Sequence, residues 1–105
     1  MEIKFDKVYL EELFYTGKTA DKNHRFQPQT VAKYKKTIII LRSVSCVEDL
    51  FLYNALHYEK LKGNKDGLES VRVNDQYRIE FKTTKVFSET VITICNIIEL
   101  SNHYK

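Results

Sequence analysis

Arg72 and Arg78 flank the segment Asn74-Asp75-Gln76, and the alternation on either side of it fixes how they meet. Val71, Val73, Tyr77, Ile79 and Phe81 are apolar, whereas Ser70, Arg72, Arg78 and Glu80 are polar. For the apolar set to share one face of a hairpin, Val73 must pair with Tyr77 and Val71 with Ile79. That register requires an odd-numbered loop and sets Arg72 directly opposite Arg78 on the other face. Like charges facing each other across a ladder destabilise it by up to about 1 kcal/mol. The arrangement makes chemical sense around an anion, because guanidinium groups grip phosphate bidentately. The competing explanation is neutralisation by a neighbouring carboxylate, Glu80 or Glu69.

Other chemistries find little support. Cys46 and Cys95 lie far apart with no Cys-x-x-Cys or Cys/His spacing, and read as small buried apolar side chains, Cys95 within Val91-Ile92-Thr93-Ile94-Cys95. No set of acidic, His or Cys residues is spaced as a metal site, and no cofactor is expected. His24 sits in a polar stretch and is given no role. Net charge is only +3, but it is unevenly spread. Between residues 15 and 42, Lys18, Lys22, Arg25, Lys33, Lys35, Lys36 and Arg42 stand against Asp21 alone, a net +6 that leaves −3 elsewhere. Such asymmetry suits phosphates or an acidic partner, or else a solvated helix face. No apolar leader and no run of about 18 apolar residues is present, so a soluble, cytoplasmic chain without membrane contact is expected.

The elements that must position these residues follow from periodicity. With 105 residues, 43% of them apolar and 30% charged, the chain is one folded domain spanning residues 1–105. Glu2-Ile3-Lys4-Phe5 alternates as a short strand. Asp6 is placed to cap a helix bearing Val8, Leu10, Leu13 and Phe14 and ending at Gly17. After a polar loop over 18–27, Pro28 opens a second helix with Val31, Tyr34, Ile38, Leu41 and Val44 along one stripe. The run Ile38-Ile39-Ile40 could alone be a strand; the length of the flanking pattern favours helix. A helical turn is expected within 48–54 and a loop over 62–67. Strands follow at 68–73 and 77–82, then a central strand at 90–98, apolar on both parities and so expected to be covered on both faces. The expected architecture is α+β: two N-terminal helices packed on a twisted antiparallel sheet.

The segment Leu56-His57-Tyr58-Glu59-Lys60-Leu61-Lys62-Gly63, followed by Leu68-Glu69-Ser70-Val71-Arg72-Val73-Asn74-Asp75-Gln76-Tyr77-Arg78-Ile79-Glu80-Phe81, resembles the RelE/ParE toxin superfamily, most closely its HigB branch, the plasmid maintenance killer type. With the ending Glu99-Leu100-Ser101-Asn102-His103-Tyr104, the resemblance covers about half the chain. It implies a microbial-ribonuclease-like fold, a partner antitoxin of helix-turn-helix, HigA-like type, and cleavage of messenger RNA on the ribosome, an mRNA interferase activity. Glu59, Arg78, His103 and Tyr104 occupy places that match the site of YoeB members. HigB members more often end in Asp-Tyr-His, so Asn102-His103-Tyr104 departs from that pattern and leaves open which of His103 and Tyr104 serves the leaving group.

Metal-free RNA cleavage needs a base for the 2′-OH, donors for the charged phosphorane, and an acid for the departing 5′-oxygen. Glu59 is the candidate base, with His57 as the alternative. Arg78 and Arg72 stabilise the phosphorane, helped by Lys60 or Lys62, and His103 is the acid, an imidazole being chargeable near neutral pH. Tyr104 stacks on a base or orients the backbone. Two rivals share the scaffold: a ParE-like toxin that inhibits DNA gyrase, and a catalytically inactive module that only binds its antitoxin.

Overall fold

The alternation at the start of the chain forms strand β1 (Glu2–Phe5), which leads into helix α1 (Val8–Thr16) and helix α2 (Pro28–Ser43). The computed structural model describes residues 1–102. Two short helical turns, Val47–Leu52 and Asn54–Leu56, precede strand β2 (Glu59–Lys60). A third turn, Gly63–Lys65, then leads to β3 (Glu69–Arg72), β4 (Tyr77–Phe87) and β5 (Val91–Asn102). The sheet order is β1-β5-β4-β3-β2. The pairings β2–β3, β3–β4 and β4–β5 are antiparallel, whereas β1 adds to β5 in parallel. The expected α+β architecture is present, with one parallel edge strand in an otherwise antiparallel sheet. No helix among the described residues is long and apolar enough to cross a membrane.

The stripe read on the second helix is the centre of the core. Val31, Tyr34, Ile38, Leu41 and Val44 are all buried, while Ile39 turns outward, as a 3.6-residue period requires. They meet Val71, Ile79, Phe81, Cys95, Ile97 and Leu100 from the sheet. Tyr34, fully buried, donates its hydroxyl to the Leu10 carbonyl at 2.8 Å, so its polar end is satisfied inside the core. Pro28 is at the start of α2, and Gly17 closes α1 at φ +78° with its N–H on the Leu13 carbonyl, the left-handed cap that favours glycine. Cys95 is buried as expected and its thiol is pushed up to about 12 by burial; Cys46 is only half-buried.

Three local expectations are corrected. Asp6 does not cap α1: its N–H goes to the Ile97 carbonyl at 2.8 Å, prolonging the β1–β5 ladder, and Lys7 takes the cap position with no side-chain bond. The buried face of α1 is accordingly Tyr9, Leu10 and Leu13, with Val8 exposed. The central strand β5 is covered on one face only. Cys95 and Ile97 are buried, but Leu100, three positions on, is buried beside them because the register slips between Glu80 and Phe81. Glu80 pairs with Glu99 and Phe81 with Ile97, leaving Ile98 as an extra residue. A bulge of this kind switches the inward phase of a strand, which explains apolar residues on both parities without a second covered face. Finally, β4 runs to Phe87 rather than ending at 82, and its far half pairs with β5 as a ribbon with Val86, Phe87, Val91 and Ile92 exposed near its tip.

Candidate active site

The hairpin register derived from parity is the one observed: Val71 faces Ile79 and Arg72 faces Arg78, with the Val73 N–H on the Tyr77 carbonyl at 3.0 Å. The three-residue turn is set by Asn74, whose side-chain oxygen accepts from the Gln76 and Tyr77 backbone N–H groups at 2.9 and 2.7 Å. This is the Asx geometry that competes well with the ladder at strand ends. Strand β2 then adds outside β3 with Glu59 opposite Ser70, and Ser70 in turn faces Glu80. Glu59 therefore lies one strand beyond Arg72 and diagonal to Arg78.

Glu59, Arg72 and Arg78 line a cleft of about 250 Å³ together with His57, Ser70, Asn74 and Tyr77. His57 is the one non-glycine residue with positive φ among the described residues, at φ 45°, ψ 51°. Left-handed backbone of this kind at a non-glycine residue is a strain that concentrates at functional positions, and here it turns the chain from the Asn54–Leu56 turn into β2. A second depression of about 370 Å³ adjoins the first, sharing His57, Arg72 and Asn74 and adding Lys33 from α2.

Both arginines have carboxylate partners. The Arg72 guanidinium pairs with Asp75 in the turn and also donates from Nε to the Asn74 carbonyl at 3.2 Å. Arg78, mostly buried, reaches Glu80 at 3.1 Å through Nη2, and its Nη1 stands 3.9 Å from the Glu59 carboxylate. Neutralisation by Glu80 thus operates at Arg78, while Glu69 takes no part. Glu69 instead accepts from the Tyr58 hydroxyl at 2.5 Å and the Thr83 hydroxyl at 2.8 Å. The Arg78 Nε–H is buried with no hydrogen-bond partner among the described residues.

Of the residues singled out in the sequence, Glu59, His57, Arg72 and Arg78 come together. Lys60 does not join them: it lines a separate depression with Glu48, Asp66 and Lys85, as the alternation of a strand dictates for the neighbour of Glu59. Lys62 is exposed ahead of the Gly63–Lys65 turn. His103 and Tyr104 lie outside the described residues; the last described ladder pair sets Asn102 beside Tyr77, a cleft residue. Sequence reasoning missed Lys65, whose Nζ reaches Glu80 at 2.6 Å, and also Asn74 and Tyr77. Among the described residues, no three His, Cys, Asp or Glu side chains are grouped to hold a metal ion.

Comparison with known proteins bears on the family and the fold. Residues 3–94 match the family model described as the RelE-like toxin of the type II toxin-antitoxin system HigB. Over 84 residues the chain is 36% identical to Toxin HigB-1 of Vibrio cholerae serotype O1, an alignment covering 78% of this chain and 83% of that protein. A YoeB/ParE toxin from Agrobacterium tumefaciens superposes with a TM-score of 0.55 at 17% identity, covering 99% of this chain and all 100% of the other. A mutant YafQ from E. coli superposes with a TM-score of 0.51 at 15% identity, covering 97% and 92% of the two chains. At such identities the two structures speak for the fold.

Proposed function

The chain belongs to the HigB-like toxins of the RelE family, the toxin component of a type II toxin-antitoxin system, and from that premise we propose that it is a cytoplasmic, ribosome-dependent messenger-RNA endoribonuclease held in check by a helix-turn-helix antitoxin of HigA type. The observation that carries the reading is the single cleft in which a carboxylate and an imidazole, Glu59 and His57, face two guanidinium groups, Arg72 and Arg78.

In this reading Glu59, an exposed residue lining the cleft, takes the proton from the ribose 2′-OH. His57, which lines the same cleft, is the alternative base. As the 2′-oxygen attacks phosphorus, negative charge grows on the non-bridging oxygens, and Arg78 and Arg72 supply fixed donors where it grows. Donors of this kind are each worth about 10²–10³ in rate when removed. Arg78 is the better placed, because burial lowers the effective dielectric around it. The ion pair of Arg72 with Asp75 is exposed and weak, so a phosphate competes for that guanidinium at little cost. His103 protonates the 5′-oxygen and Tyr104 stacks on a base. Lys62 and, from the neighbouring depression, Lys60 contribute long-range attraction for the RNA strand.

Purified ribosomes programmed with a defined messenger test the proposal. Cuts at A-site codons on addition of the protein, suppressed by its antitoxin, are the expected result. Intact messenger together with impaired supercoiling by gyrase overturns the nuclease reading in favour of the ParE-like one.

A further inference from the structure

We propose that Lys65 and Glu80 form a positioning pair that holds Arg78 for the scissile phosphate and keeps the cleft cationic, an inference that rests on the nuclease reading above. Glu80 stands two residues from Arg78 on the same face of β4 and is 1% exposed. One of its oxygens, Oε2, accepts a hydrogen bond from Lys65 Nζ at 2.6 Å and forms an ion pair with Arg78 Nη2 at 3.1 Å. Two cations thus converge on one buried carboxylate.

The charge balance explains why two are needed. A carboxylate removed from water must be compensated, and Arg78 alone would do it, but the resulting pair would be neutral and useless to a phosphate. With Lys65 added, the trio carries a net positive charge. Lys65 compensates Glu80 without lining the cleft, and the Arg78 charge is left to the cleft, where the Glu59 carboxylate stands 3.9 Å away. Lys65 is not among the cleft-lining residues, so it acts through Glu80 and is a positioning residue, not a catalytic one.

The geometry of Arg78 points the same way. Its Nη2 is anchored on Glu80, while Nη1, 3.9 Å from Glu59, is beyond hydrogen-bond reach of that carboxylate. Its Nε–H is buried and unpartnered among the described residues. Among the described residues the guanidinium is thus held by its ion pair with Glu80 and keeps bonding capacity unspent, the condition of a preorganised donor. The turn that delivers Lys65 is built for close return: Gly63 and Gly67 take φ of +69° and +90°, and the Leu61 N–H meets the Leu68 carbonyl at 2.9 Å across its base.

The test uses the full chain with Lys65→Met, Lys65→Arg and Glu80→Gln in single-turnover cleavage on ribosomes, alongside hydrogen exchange of the Arg78 Nε–H followed by NMR. Lys65 is on an exposed turn, so its variants report even if Glu80→Gln fails to fold. Expected for Lys65→Met is a kcat lower by roughly tenfold or more, since small misplacements of catalytic groups cost that much. The half-saturating ribosome concentration should hold within about twofold, because a group that acts only in the transition state leaves binding alone. Lys65→Arg should restore most of the rate, and the Arg78 Nε–H should exchange faster in Lys65→Met than in the parent. A merely structural ion pair would lower stability and leave kcat alone, and that outcome, or unchanged Nε–H exchange, overturns the proposal. A parent protein that cuts nothing while Lys65→Met still frees the Nε–H would remove the nuclease reading and leave the positioning role standing.

Discussion

Replacing Arg78 by alanine removes the one guanidinium that lies between Glu80 and Glu59, at 3.1 and 3.9 Å. Two consequences can be separated. For stability, the buried Glu80 carboxylate loses one of two cations but keeps Lys65 at 2.6 Å, so it is not left as an isolated buried charge, which would cost about 3–5 kcal/mol. The loss is closer to that of one charge-assisted contact, about 1.5–3 kcal/mol, which for a domain of this size lowers Tm by roughly 6–24 °C. The variant should therefore remain folded at growth temperature. For catalysis, loss of the main phosphorane donor should lower kcat by about 10²–10³-fold and abolish growth inhibition. Calorimetry and ribosomal cleavage at matched concentrations of folded protein separate the two. A folded Arg78→Ala protein that cleaves and poisons cells like the parent would refute the reasoning.

Glu59→Gln should slow the single-turnover cleavage rate with little change in binding, since Glu59 is exposed and its one ion pair among the described residues spans 3.9 Å; an unchanged rate shifts the base to His57. Gly17→Ala should destabilise by about 1–2 kcal/mol in chemical denaturation, because φ +78° is strained for any residue with a Cβ, and an equal midpoint would contradict the cap geometry. The Asp21 carboxyl is held below its ordinary value of 3.8 chiefly by the hydrogen bond from His24, 2.8 Å away. A depressed carboxylate contributes stability that is present above its unfolded pKa and is lost as pH falls through the folded one. In His24→Ala the Asp21 titration followed by NMR should move up toward the ordinary value, and no movement would remove His24 as the cause.

How far the sequence could be read depended on whether a feature was local. The parity of Val71, Val73, Tyr77, Ile79 and Phe81 needs only neighbouring residues and a turn, and it led directly to Arg72 opposite Arg78. The Val31-to-Val44 stripe was legible for the same reason. Asp6 was misjudged because the competing demand on its backbone, the Ile97 carbonyl, comes from the far end of the chain. The parallel addition of β1 to β5 is hidden for the same reason. In β5 a single extra residue shifted the inward phase, and two half-patterns looked like one strand buried on both faces. In the cleft, Glu59, His57 and both arginines come together as resemblance and hairpin logic had singled them out, but the lysines were not resolved. Lys60, Lys62 and Lys65 lie within one short basic stretch, and which of them meets the buried Glu80 depends on how the turn between two glycines folds back, which composition does not encode.

The most direct test is to bind a short RNA carrying a 2′-deoxy or 2′-methoxy block at the cleavage position to the protein on the ribosome and to locate its phosphate. The expected density puts that phosphate within hydrogen-bond distance of Arg78 and Arg72, with the blocked 2′ position turned toward Glu59 or His57. An RNA that lies elsewhere on the protein, with the cleft between β2 and β4 left empty, would contradict it.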